Sequence, residues 1–249
     1  MTVLTLAAAQ FISVAGDVPE NIQRHVAFMR EAAEQGVQLL VFPELSLTEY
    51  EPSLAAGLAI APEDALLSPL REMARELQIT AVVGMPIRLT PHGGVLIGAL
   101  VLGADGGLAL YTKQHLHPGE DVAFVAGQGG AALERGSDRV ALAVCADFSH
   151  ASHPLAAAQS GANVYAASVL ISERGYAGDS ALLQGYARKY KLLVLMANHG
   201  GPSGGWACAG RSAVWIADGS LLAAATGIGE ALVIAHRDGA QWTGRVVAL

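Results

Sequence analysis

Apolar residues fall in short blocks along the chain, with two kinds of spacing. Residues 3–9 (VLTLAAA), 37–42 (VQLLVF), 162–170 (ANVYAASVL) and 192–197 (LLVLMA) are near-continuous apolar runs of strand length. A further run, 140–144 (VALAV), stops at Cys145. Between them lie stretches with one-sided helical spacing. Ile22, Val26, Phe28, Met29, Ala32 and Ala33 mark a helix over 20–35, opened by Asp17, Pro19 and Glu20 and closed by Gly36. Further helices are expected over 66–77, 152–160 and 179–191, the last with Asp179 as its cap. The segment with Tyr50, Glu51 and Pro52 reads as a loop.

The middle and the end of the chain carry hairpin signals. Residues 79–89 and 95–102 are apolar runs joined by Pro91-His92-Gly93-Gly94. Asp-Gly turns at 105–106, 218–219 and 238–239 each separate two strand-like runs, predicting three more hairpins. Parallel-type strands alternating with helices, plus hairpins, predict an α/β fold of mixed sheets with helices on the outer faces. No linker or low-complexity segment interrupts residues 1–249, so a single domain is expected.

Composition narrows the function classes. Of 249 residues, 52% are hydrophobic and 15% charged, enough to fill a large core. No run approaches the ~18 consecutive apolar residues of a membrane span. The N-terminus has no basic leader and reads as a first strand, so no signal peptide is expected. The net charge of −7 and scattered Lys and Arg argue against a nucleic-acid partner. Two cysteines do not make a disulfide framework, and both are expected reduced in a cytoplasmic setting.

The candidate chemistry sits at strand ends. The run 37–42 closes on Pro43-Glu44, the run 108–112 on Lys113, and the run 140–144 on Cys145. Open α/β sheets gather their reactive groups at such ends. A cysteine attacks as its thiolate and needs a base. A buried Glu44 with a raised pKa fits that task. Lys113, helped by the backbone N–H of Ala146, fits the stabilisation of a developing oxyanion. Such a set suits acyl chemistry at an amide or nitrile carbon.

At these residues the chain resembles the nitrilase superfamily of carbon–nitrogen hydrolases, in its amidase-like branch. VFPELSLTEYEP (41–52), LYTKQHL (110–116) and VCADF (144–148) are similar to the family's glutamate, lysine and nucleophile motifs, in the family's order. The resemblance implies an α-β-β-α sandwich that pairs into homodimers, a small-molecule amide substrate, and no cofactor or metal. It implies Glu44 as base, Lys113 as oxyanion stabiliser, Cys145 as nucleophile, and Glu120 as a second glutamate orienting the substrate. Ala146, Asp147, His150 and Asn198 are the expected substrate-side residues. Asp147, two residues after the cysteine, leans towards amides over nitriles.

The chain departs from the family pattern after the nucleophile, with Ala146 and then Phe148-Ser149-His150-Ala151-Ser152-His153 where an aromatic residue and Arg-Phe-Pro-Glu are common. That change bears on substrate more than on chemistry. The pairs His150/His153 and His115/His117 lack acidic or cysteine partners at a ligand spacing, so no metal site is read there. The glycine-rich segment 200–205 lacks a phosphate-loop ending and reads as a loop near the active site; Cys208 reads as structural. The first strand–helix junction lacks the glycines of a dinucleotide site. The sequence leaves open ω-amides of dicarboxylic acids, N-carbamoyl compounds, acyl transfer to an amine, nitrile hydrolysis, or a non-catalytic binding relative.

Overall fold

The computed structural model describes residues 3–249. In chain order the elements are β1 (Leu4–Gln10), α1 (Val18–Glu34), β2 (Leu39–Val41), α2 (Pro52–Leu58), α3 (Ser68–Glu76), β3 (Thr80–Ile87), β4 (Leu96–Leu102) and β5 (Leu108–Thr112). Then follow β6 (Leu133–Arg135), β7 (Asp138–Val144), α4 (Ser152–Gln159), β8 (Val164–Val169), α5 (Tyr176–Tyr190), β9 (Leu193–Asn198), β10 (Ala213–Trp215), β11 (Leu221–Ala224), β12 (Ala231–Asp238) and β13 (Gln241–Ala248).

Two mixed sheets result. One has the order β13-β12-β1-β2-β3-β4-β5 and the other β11-β10-β9-β8-β7-β6. β1, β2 and β3 pair in parallel, as do β7, β8 and β9. The three Asp-Gly turns close the antiparallel pairs β4–β5, β10–β11 and β12–β13, as the turn chemistry predicts.

Period-2 alternation distributes the core. Leu6, Ala8, Val41 and Val82 face Leu142, Val144, Ala166 and Leu195 between the sheets. Their neighbours Ala7, Leu40 and Val83 face outward against Phe28 and Met29 of α1 and Met73 of α3. On the second sheet Ala143, Tyr165 and Val194 face Leu183 and Ala187 of α5. Strands covered on both faces explain the continuous apolar runs. The layering is α-β-β-α. No helix among the described residues is long and apolar enough to cross a membrane.

Two expectations are corrected and one element is added. The segment after Glu51 forms α2, with Pro52 in its first turn. A short β6 precedes β7. Asp179 does not cap α5; Gly175 holds that place and Asp179 lies inside the first turn.

Candidate active site

Glu44, Lys113 and Cys145 each leave a strand end and meet between the two sheets. Glu44 follows β2 in a loop pressed against β3. A Cβ at Gly84 would lie 2.3 Å from the backbone N of Leu45, so only glycine admits this approach. Leu45 itself takes a positive φ of 51°. The loop is pinned by hydrogen bonds from Ser168 Oγ to the Phe42 carbonyl (2.7 Å) and from His199 Nε2 to the Glu44 carbonyl (2.8 Å). Ser46 Oγ accepts from the N–H of Gly84 and lies 2.9 Å from His25 Nε2. Because His25 Nδ1 donates to the Asn21 carbonyl, Ser46 donates to Nε2. Burial drives both histidines low, His25 to about 3 and His199 to about 4, so they are neutral struts.

Lys113 is wholly buried, and its Nζ donates at 2.7 Å to Oε1 of Glu44 and at 2.7 Å to Oε1 of Glu120. Glu120 is fixed further by the Tyr50 hydroxyl on Oε1 (2.8 Å) and the His117 N–H on Oε2 (2.7 Å). A buried ammonium is costly unless its protons are satisfied by anions. Burial works against the charge on Lys113, but Glu44, Cys145 and Glu120 outweigh it and hold its pKa above the ordinary lysine value. The reverse holds at Glu44. Burial pushes its carboxyl up to about 7, against the pull of Lys113 and with a further push from Glu120. Its Oε2 is buried without a hydrogen-bond partner among the described residues.

Cys145 opens a 3-10 turn, Cys145–Ser149, directly after β7. Its φ is +43°, a strained region for a residue with a Cβ. The thiol lies 3.6 Å from the Leu170 carbonyl. Burial, then the charge of Glu44, raises the thiol pKa well above its ordinary value. The resting sulfur is therefore protonated, and a thiolate requires proton transfer to a nearby base.

A cleft of about 230 Å³ opens onto these groups. Glu44, Glu120, Cys145 and Ala146 line it, with Tyr50, Phe148, Leu170, Ile171, Asp179 and Trp206 among its walls. The Gly200–Gly205 segment does run beside it: Ser203 Oγ accepts from the Tyr50 N–H. Cys208 is buried and outside the lining.

Three residues expected on the substrate side do not line the cleft. Asp147 is fully buried behind the nucleophile turn. Its Oδ1 accepts from the N–H groups of Gln114 (3.0 Å) and His115 (2.9 Å), and its Oδ2 from the N–H of Val144 (3.0 Å) and the Tyr111 hydroxyl (2.7 Å). It thus ties the segment after Lys113 to the one before Cys145. Asn198 is buried and exchanges two hydrogen bonds with the backbone of Ile171, shaping the wall from behind. His150 is exposed and stacks on His115 at 3.9 Å. His153 is held between the hydroxyls of Tyr111 and Tyr165 at 2.7 and 2.8 Å. Tyr111 and Trp206 carry no strand-end signal in the sequence, and a sequence reading passes over them; Tyr50 and His117 enter it only as a loop residue and as half of a histidine pair.

A four-layered sandwich with a thiol at a strained strand end, beside a lysine and two carboxylates, is the build of a nitrilase-fold hydrolase. The family profile described as carbon-nitrogen hydrolase matches residues 5–244, and the chain belongs to that family. Among solved structures it is similar to the amidase from Nesterenkonia sp. AN1. A variant of that enzyme showing Michael addition of acrylamide at the active-site cysteine shares 29% identity, with a TM-score of 0.85 and coverage of 93% of this chain and 92% of that one. An alanine variant in complex with butyramide superposes with a TM-score of 0.86 at 29% identity, covering 94% and 90%. Among curated proteins, the glutamine-dependent NAD(+) synthetase of Thermotoga maritima is 25% identical over 210 residues. That match takes in 78% of this chain and 34% of the synthetase, so the chain spans about a third of that relative's length.

Proposed function

We propose that this chain hydrolyses the carbon–nitrogen bond of small linear amides through a thioester on Cys145, releasing ammonia or an amine. The observation that carries this reading is the Lys113 ammonium held at 2.7 Å from both Glu44 and Glu120, beside the thiol of Cys145. The likeness to an amidase with an active-site cysteine supports it.

In the first step Cys145 Sγ forms a bond to the amide carbon as its proton passes to Glu44. The carbonyl π-electrons move onto oxygen, where Lys113 Nζ and the backbone N–H of Ala146 meet the charge. Collapse of this intermediate expels the nitrogen, which takes the proton from Glu44 and leaves as amine. Water then attacks the thioester as Glu44 takes its proton, and the proton returns to sulfur as the acid departs. Glu44 suits both directions of transfer because its pKa stands near neutrality. Glu120 holds the lysine and, with Tyr50, the rim of the cleft.

The test is ammonia release from short aliphatic amides by the wild type and by Cys145→Ala side by side. Release by the wild type alone is expected. Equal release by both removes the thiol from the reaction. Faster turnover on adding an amine acceptor assigns the thioester to acyl transfer instead.

A further inference from the structure

The cleft carries a charge pattern that the reaction does not use. Asp179 lines the same cleft as Cys145 and Glu44. Its carboxylate makes no hydrogen bond and no ion pair within the described residues, and it does not cap α5. The one titratable side chain whose charge would act on it is His117, an exposed ring whose Nδ1 faces the Pro118 carbonyl at 3.2 Å. A carboxylate in the first turn of a helix is ordinarily a solvated partner of the helix dipole and is held low. Here burial is the largest influence and pushes Asp179 upward. The space beside it is kept by a glycine: a Cβ at Gly175 would lie 3.0 Å from Asp179 Oδ2. Gly175 also lines the cleft.

Apart from the His117 imidazole, the lining offers no cationic side chain to an anionic substrate. No Lys or Arg is among the lining residues. Lys113 is wholly buried, bonded to both carboxylates and assigned above to the oxyanion, so it is not available to a charge at the far end of an acyl chain. The remaining walls include Phe148, Leu170, Ile171 and Trp206, which carry no charge. An acyl chain ending in a carboxylate would bring an unpaired anion beside Asp179, a desolvated like-charge contact. One ending in an ammonium would satisfy a carboxylate that lacks a hydrogen-bond partner, in a cleft walled also by the Trp206 ring, whose face favours cations.

We propose that Asp179 is a specificity residue for cationic substrates: the cleft takes amides whose acyl chain carries an ammonium group. The proposal rests on the amidase reading above. It sets aside the ω-amides of dicarboxylic acids that the sequence left open.

Binding separates it from turnover. Calorimetry on Cys145→Ala at neutral pH would compare 5-aminopentanamide, pentanamide and glutaramate, a series of similar length with positive, zero and negative charge. The ammonium compound is expected to bind about tenfold or more tightly than pentanamide, as for a hydrogen bond to a charged group, with glutaramate weakest. Adding Asp179→Asn is expected to bring the first two within about threefold, and Asp179→Lys to make glutaramate the tightest. Equal affinities, tightest binding of glutaramate by the unaltered cleft, or no binding of any compound overturns the proposal. Wild-type turnover of pentanamide without preference for the ammonium compound sinks this proposal and leaves the amidase reading standing. Charge-ordered binding without turnover of any of the three sinks the amidase reading alone.

Discussion

The Tyr111 hydroxyl donates to Oδ2 of Asp147 at 2.7 Å, joining the strand that leads to Lys113 to the turn that begins at Cys145. The same hydroxyl oxygen accepts from Gln114 Nε2 at 3.0 Å. Since its single proton goes to Asp147, His153 Nε2 donates to it, and His153 Nδ1 accepts from Tyr165. The ring of His153 is then neutral, in keeping with burial, which lowers its pKa. Lysine and thiol come from different sheets, and this buried network sets their separation.

Tyr111→Phe tests that positioning role. It leaves His153 Nε2 without its acceptor and removes one of two donors to Asp147 Oδ2. The expected loss of stability is about 1–3 kcal/mol, read from denaturant melts. In the folded variant kcat should fall while KM changes little, because the reacting groups shift and the cleft walls do not. A loss of stability with unaltered kcat would limit Tyr111 to a structural role.

The raised pKa of Glu44 fixes a pH dependence. The base acts as its ionised form, so kcat/KM should increase about tenfold per pH unit below the pKa and level off above it. With Glu44 pushed up to about 7, the acid limb should bend near neutrality. A pH–rate profile checks this, and Glu44→Gln should lower the rate about 10²-fold or more and remove the limb.

The two neutral struts predict acid sensitivity of the fold. His25 and His199 have folded pKa values of about 3 and about 4, below the ordinary 6.5. As pH falls below 6.5 the unfolded chain takes up these protons first. Stability from the buried neutral rings is therefore full above that value and is lost down through the folded values. For His199 alone the loss between 6.5 and 4 is about 3 kcal/mol. Melting temperatures of wild type and His199→Asn across that window should converge as pH falls.

Gly84 is the backbone counterpart of Glu44. Alanine there would drive a Cβ to 2.3 Å from Leu45 N and 2.8 Å from the Pro43 carbonyl, both backbone atoms that cannot swing aside. Gly84→Ala should cost about 2 kcal/mol or more and displace Glu44, so that thermal melts and kcat fall together.

Strand ends and turns carry most of the legible information. Apolar runs covered on both faces, the Asp-Gly hairpins and the three charged or nucleophilic strand ends can all be read from local patterns that the tertiary structure retains. α2 escapes such a reading because Tyr50-Glu51-Pro52 has turn chemistry and only Ala55 of the helix is buried. Asp147 is misread for a geometric reason. Its direction is set by four donors, the N–H groups of Gln114, His115 and Val144 and the Tyr111 hydroxyl, three of them remote from it in sequence. Asn198 and His150 belong to the right segments, but which way they face is decided by Ile171 and His115, which are remote in sequence.

The most direct test is the mass of the intact protein quenched during turnover of a good amide substrate, with Cys145→Ala alongside. A covalent increment of one acyl group, with the nitrogen lost, on the wild type alone and mapped to the Cys145 peptide is the predicted result. Ammonia release with no adduct under any quench, or an adduct that persists in Cys145→Ala, would contradict the thioester account.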